Sequence, residues 1–137
     1  MRFLNITEAL AVLQDTARAE VERTAAIHFL AEDRSPASIE ALAQTLADED
    51  FGVRWAASNA LIHAGRAAFK PILRMLVAHG TSAAVRETAC PARGDNVDPQ
   101  VRAASQELLQ AMKGAGADAA APQTAYQLLR QEEPLTA

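Results

Sequence analysis

A five-residue pattern recurs in this chain at a fixed interval, and the recurrence constrains the fold more than any other feature. Val53-Arg54-Trp55-Ala56-Ala57 is matched further along by Val85-Arg86-Glu87-Thr88-Ala89, and at the same distance upstream by Val21-Glu22-Arg23-Thr24-Ala25. A further Val-Arg pair, Val101-Arg102, follows Val85-Arg86 at half that distance. Self-similarity at a period of this size is the mark of a stack of supersecondary units, none of which can bury its apolar face alone.

The units are helical. Apolar residues return at three and four, as in Ile39, Leu42, Leu46, in Phe69, Leu73, Leu76, and in Val101, Ala104, Leu108, Met112. That spacing gives a helix one buried face. Ser35-Pro36 and Asp98-Pro99 place a capping oxygen just before a proline, the preferred order at a helix start. Asp50 caps and Gly65 stops the helix that carries Trp55. Helices are expected over roughly 6–15, 18–31, 36–47, 51–64, 67–78, 82–91, 99–113 and 122–131, with Pro71 in the first turn of the fifth. Short connections make neighbouring helices antiparallel. Half of the 137 residues are hydrophobic but only 4% are aromatic, which suits closely approaching, alanine-rich helices.

The unit around Leu42, Leu46, Asp48, Asp50, Val53, Arg54, Ala56, Ala57, Ala60, Leu61 and Gly65 resembles the HEAT-like repeat of the type first noted in phycocyanobilin-lyase proteins. There an apolar helix, an acidic turn and Val-Arg-x-x-Ala-Ala-x-x-Leu are followed by glycine. The resemblance covers about residues 6–113 and weakens in the first unit, where Glu22 takes the place of the arginine. It implies an all-α, right-handed α-solenoid of about three and a half HEAT-like helical hairpins. Residues 1–113 form the repeat domain. Residues 114–137 form a small-residue linker and a C-terminal tail that can cap the stack.

One segment departs from the pattern. Cys90-Pro91-Ala92-Arg93-Gly94-Asp95-Asn96-Val97 falls where the third unit should continue as helix. Proline inside a helix costs about 3 kcal/mol, so this helix is expected to be short or distorted.

In such stacks the second helices line the concave face, where partners bind. Carried between units at the valine-to-valine interval, Trp55 aligns with Arg23 and Glu87, and Asn59 with Ile27 and Pro91. Arg23, Ile27, Trp55, Asn59 and Glu87 thus form a candidate protein-binding ridge anchored on an exposed tryptophan flanked by arginine, residue types enriched at interfaces. The arginines that follow valine, Arg54, Arg86 and Arg102, are read as ties to the preceding turn. Arg66, Lys70 and Arg74, four apart, form a positive stripe on a solvated face.

Catalysis finds little support. His28, His63 and His79 are not followed by glutamate, no spacing suits zinc, and there is no phosphate loop or nucleophile elbow. No cofactor is expected. A lone Cys90 excludes an internal disulfide and fits a reducing compartment. No stretch reaches the ~20 apolar residues that span a membrane, and the expectation is a cytoplasmic, bacterial-type protein. The net charge of −4 argues against nucleic acid as a partner. The reading is therefore a non-catalytic scaffold or adaptor for a protein partner, with a homodimer through the stack ends left open. Alternatives are an accessory factor in phycobilin lyase or tetrapyrrole handling, and a HEAT-like nucleic-acid module.

Overall fold

The computed structural model describes residues 2–94, 96–111 and 116–136, with side chains for all of these except 90–94, 107, 118 and 132–136. The described secondary structure is entirely helical: α1 (Ile6–Gln14), α2 (Glu20–Asp33), α3 (Pro36–Gln44), α4 (Phe51–His63), α5 (Phe69–His79), α6 (Ala83–Gly94), α7 (Pro99–Ala104), α8 (Gln106–Ala111) and α9 (Ala117–Thr136). Short 3-10 turns over Thr45–Ala47 and Gly65–Ala68 extend α3 and lead into α5.

The caps read from the sequence are in place. Ser35 accepts from the Ser38 amide at 3.3 Å, Asp50 from Gly52 and Val53 at 2.9 and 3.3 Å, and Asp98 from Gln100 at 2.8 Å. Beyond α4, Gly65 takes a left-handed φ of 66° that a side chain would resist. Pro71 is the third residue of α5, within the turn whose amides have no intrahelical acceptor.

The helices form two layers. α1, α3 and α5 touch in succession, as do α2, α4 and α6, and each pair α1–α2, α3–α4 and α5–α6 closes a hairpin. Between the layers lies one aliphatic core, in which Leu13, Ile27, Leu30, Leu42, Leu46, Val53, Leu61, Ile72, Leu73 and Leu76 are buried. Ala57 and Ala89 let the second layer close up, and the buried Ser58 hydroxyl donates to the Thr88 carbonyl at 2.7 Å across the α4–α6 contact. α7 and α8 lean on α6, while α9 runs along α5 and touches α8.

Three elements differ from expectation. The sixth helix is not cut short at Pro91; its backbone continues to Gly94. The buried Val85 and Ala89 fix it against its neighbours, so one forgone ladder bond does not end it. The helix expected over 99–113 breaks at Ser105, whose amide is shared between the Val101 and Arg102 carbonyls and whose hydroxyl donates back to Val101. The last helix starts at Ala117, ahead of its expected start at Pro122, and that proline falls in its second turn without ending it. Residues 112–115, the end of that expected helix and the start of the expected linker, lie outside the described residues.

Candidate functional site

The second-layer helices carry the repeat's signature, and their register decides what reaches the surface. Arg54 is the fourth residue after its cap, Asp50; Arg102 is the fourth after Asp98; Arg86 is the fourth after Ser82. Each reaches back to a main-chain oxygen in the turn before its helix: Arg54 Nη1 donates to Asp48 O at 2.9 Å, Arg86 Nη1 to Gly80 O at 2.7 Å, Arg102 Nη1 to Asn96 O at 2.6 Å. A planar, permanently charged donor is well suited to clamp a turn this way. The reading of these arginines as ties to the preceding turn is what the geometry shows.

In the first unit the fourth residue after the cap, Ala19, is Arg23. Arg23, not Glu22, is therefore the structural equivalent of Arg54, and the first two units stand one position closer than the valine match implies. The arginine that seemed replaced by Glu22 is present one position later. Val21, aligned with Val53 in the sequence reading, is 75% exposed, whereas Val53 is fully buried.

That one-position shift corrects the ridge. Arg23 is buried, with Nε and Nη2 donating to Leu13 O at 2.9 and 2.7 Å and Nη1 donating to Asp48 Oδ1 at 3.0 Å. Ile27 lies in the core. Neither can meet a partner. The positions equivalent to Trp55 and Asn59 on α2 are Thr24, partly exposed, and His28, exposed. Glu87 and Asn59 are exposed as expected, and the side chain of Pro91 lies outside the described residues.

Trp55 is half-buried, not free-standing. Its ring meets Phe51 at a centroid distance of 6.0 Å and an angle of 59°, and its Nε1 is buried without a hydrogen-bond partner. Phe51, which is not part of the expected ridge, is 62% exposed. It is the first residue of α4, directly after the Asp50 cap, with the Arg54 guanidinium 5.6 Å from its ring centroid. The face of α4 thus presents an exposed phenyl ring braced by a tryptophan and an arginine.

A second feature lies on the first-layer side, where the N-terminal turns of α3, α5 and α7 meet. A groove of about 730 Å³ opens there, with Arg34, Arg66, Lys70 and Arg74 along it. The stripe read from Arg66, Lys70 and Arg74 is real, but the residues border a concavity and are joined by Arg34, the left-handed residue that ends α2 at φ 58°.

The model of the HEAT repeats matches residues 6–93, well over half of the sequence. The chain belongs to the HEAT-repeat family. No curated protein and no solved structure matches it. HEAT repeats commonly mediate protein–protein interaction. Among the described residues of this HEAT-repeat chain, no helix is long and apolar enough to cross a membrane.

Proposed function

We propose that the chain is a non-catalytic scaffold, a short right-handed solenoid of HEAT-like hairpins that engages a protein partner through the exposed face of α4. The observation that carries this reading is Phe51, a large aromatic side chain left 62% exposed yet held in place by Trp55 and Arg54. A rigid aromatic ring loses little conformational freedom on binding, and it is the kind of anchor that dominates interface energies. Asn59, one turn beyond Trp55, and Glu87 on α6 offer polar contacts at its edge.

The test is affinity capture from cells of the source, with the wild type and Phe51→Glu as paired baits. The α4 cap does not involve the Phe51 side chain, so the variant should retain its helical circular dichroism and melting temperature. A protein held by the wild type and lost by Phe51→Glu supports the reading. The same proteins on both baits would rule out this face as the interface.

A further inference from the structure

The groove at the N-terminal turns of α3, α5 and α7 points to a second docking surface, one that we infer takes an acidic peptide segment bearing aliphatic side chains. The argument begins with charge. The chain has 17 acidic and 13 basic residues. The groove takes four of the basic ones and a single acidic one, Glu40. The remainder of the molecule is strongly acidic, so the groove is a local inversion of the protein's charge and not a sample of it. Glu40 is engaged by Arg74 at 3.1 Å, and Arg66 approaches Asp98 only to 3.9 Å, with its side chain 70% exposed. The first turns of α3 and α5 also line the groove, and the positive ends of their dipoles add to its field.

The floor selects among anions. Between the cations the lining is apolar: Pro36, Ala67, Pro71 and Ala104 border it at the surface, over the buried Ile39 and Val101. A phosphate or polyphosphate needs converging donors and would leave this apolar surface wet. A peptide with carboxylates spaced around leucine-like side chains would pair with the rim and cover the floor. Exposed charges of this kind mainly set approach and orientation, and the covered apolar area holds the complex. The groove is separate from the Phe51 face, so the two surfaces can be tested apart.

The experiment is fluorescence polarisation of the full chain with a short labelled peptide of glutamate pairs separated by leucines. Saturable binding that weakens with added salt is expected. Arg66→Glu/Lys70→Glu should weaken it by about tenfold or more. Ala104→Phe, which fills the groove without changing charge, should do the same, and it guards against a charge variant that misfolds. Phe51→Glu should leave it unchanged. No binding by the wild type would overturn the proposal. So would equal binding of a peptide with glycine in place of leucine, equal displacement by inorganic phosphate or duplex DNA, or insensitivity to Ala104→Phe. If sedimentation instead finds a dimer that Arg66→Glu/Lys70→Glu dissolves, the occupant is a second copy of the chain and the peptide assignment fails.

Discussion

Arg23 on α2 and Asp48, two residues ahead of the α4 cap, form a largely buried ion pair that joins the first hairpin to the second. The guanidinium is also held by the Leu13 carbonyl at the end of α1, so a single side chain ties three segments together. Asp48 in turn accepts from the Asp50 amide at 2.9 Å, which sets the turn from which α4 starts.

Removing one member should be costly. Asp48→Asn leaves a buried guanidinium without its counter-charge, and breaking a buried pair from one side typically costs about 3–5 kcal/mol. Because Arg23 keeps its two bonds to Leu13, the low end of that range, about 3 kcal/mol, is expected, read by urea denaturation. A loss under about 1 kcal/mol would mean that the pair is solvated and does not join the hairpins.

The same pair predicts an acid limb. Burial pushes the Asp48 carboxyl up, but the Arg23 hydrogen bond, the Asp50 amide and the charges of Arg23 and Arg54 outweigh it and hold the group below its ordinary 3.8. The folded state therefore favours the carboxylate. This stabilisation is complete above the unfolded value of 3.8 and is lost as pH falls through the lower folded value. Asp33, lowered by its bonds from Ser35 and Ser38, acts in the same direction. Melting temperature should be nearly flat from about pH 7 to 5 and fall below about pH 4, with a shallower fall in Asp48→Asn.

Two glycines should respond oppositely to alanine. At Gly80 a Cβ would stand 2.2 Å from the Leu76 carbonyl oxygen and 2.7 Å from Pro122 Cγ, where α9 comes against the end of α5. Gly80→Ala should cost about 1–3 kcal/mol through overpacking. At Gly52 the obstacle is only the carboxylate end of Glu20, a flexible and exposed side chain. Gly52→Ala should be neutral or stabilise by up to about 1 kcal/mol, through helix propensity. Thermal melts of the two variants settle both signs.

Asn96 is fully buried, and its amide nitrogen donates to the carbonyls of Leu61 at 3.3 Å and Gly65 at 3.2 Å. The neighbouring Val97 amide donates to Ile62 O at 3.0 Å. The approach to α7 is thereby pinned to the end of α4. Asn96→Ala removes both of these bonds and the one that its Oδ1 accepts from the Asp98 amide at 2.9 Å, and should cost about 1–3 kcal/mol. Hydrogen exchange at Val97 should rise in the variant; unchanged exchange would show that the backbone bond suffices.

Much of this architecture was legible in the sequence because its signals are local. Ser35, Asp50, Asp98 and Gly65 mark helix ends by chemistry that acts within a few residues, and the spacing of Leu42, Leu46, Leu73 and Leu76 reports burial directly. The candidate site was less legible. A valine-for-valine match placed Val21 with Val53, when the feature common to the units is an arginine at the fourth position past the cap. A slip of a single position turns a helix by about 100°, enough to carry Arg23 and Ile27 from an imagined surface into the core. Phe51 was not legible as a surface anchor, since nothing local says which way the first residue of a helix faces. The groove joins Arg34 to Arg74 and Gln100, residues distant in sequence, and only the stacking of hairpins brings them together.

The course of α9 bears on how such a chain can lengthen. Repeat arrays grow by duplication, each new hairpin docking on the flank of the last. Here the flank of α5 is already covered by α9, and Pro122 is fitted against Gly80. A duplicated hairpin inserted after α6 would have to displace that helix and vacate a contact shaped for a proline. The α9 cover thus closes the α5 flank to growth of the array.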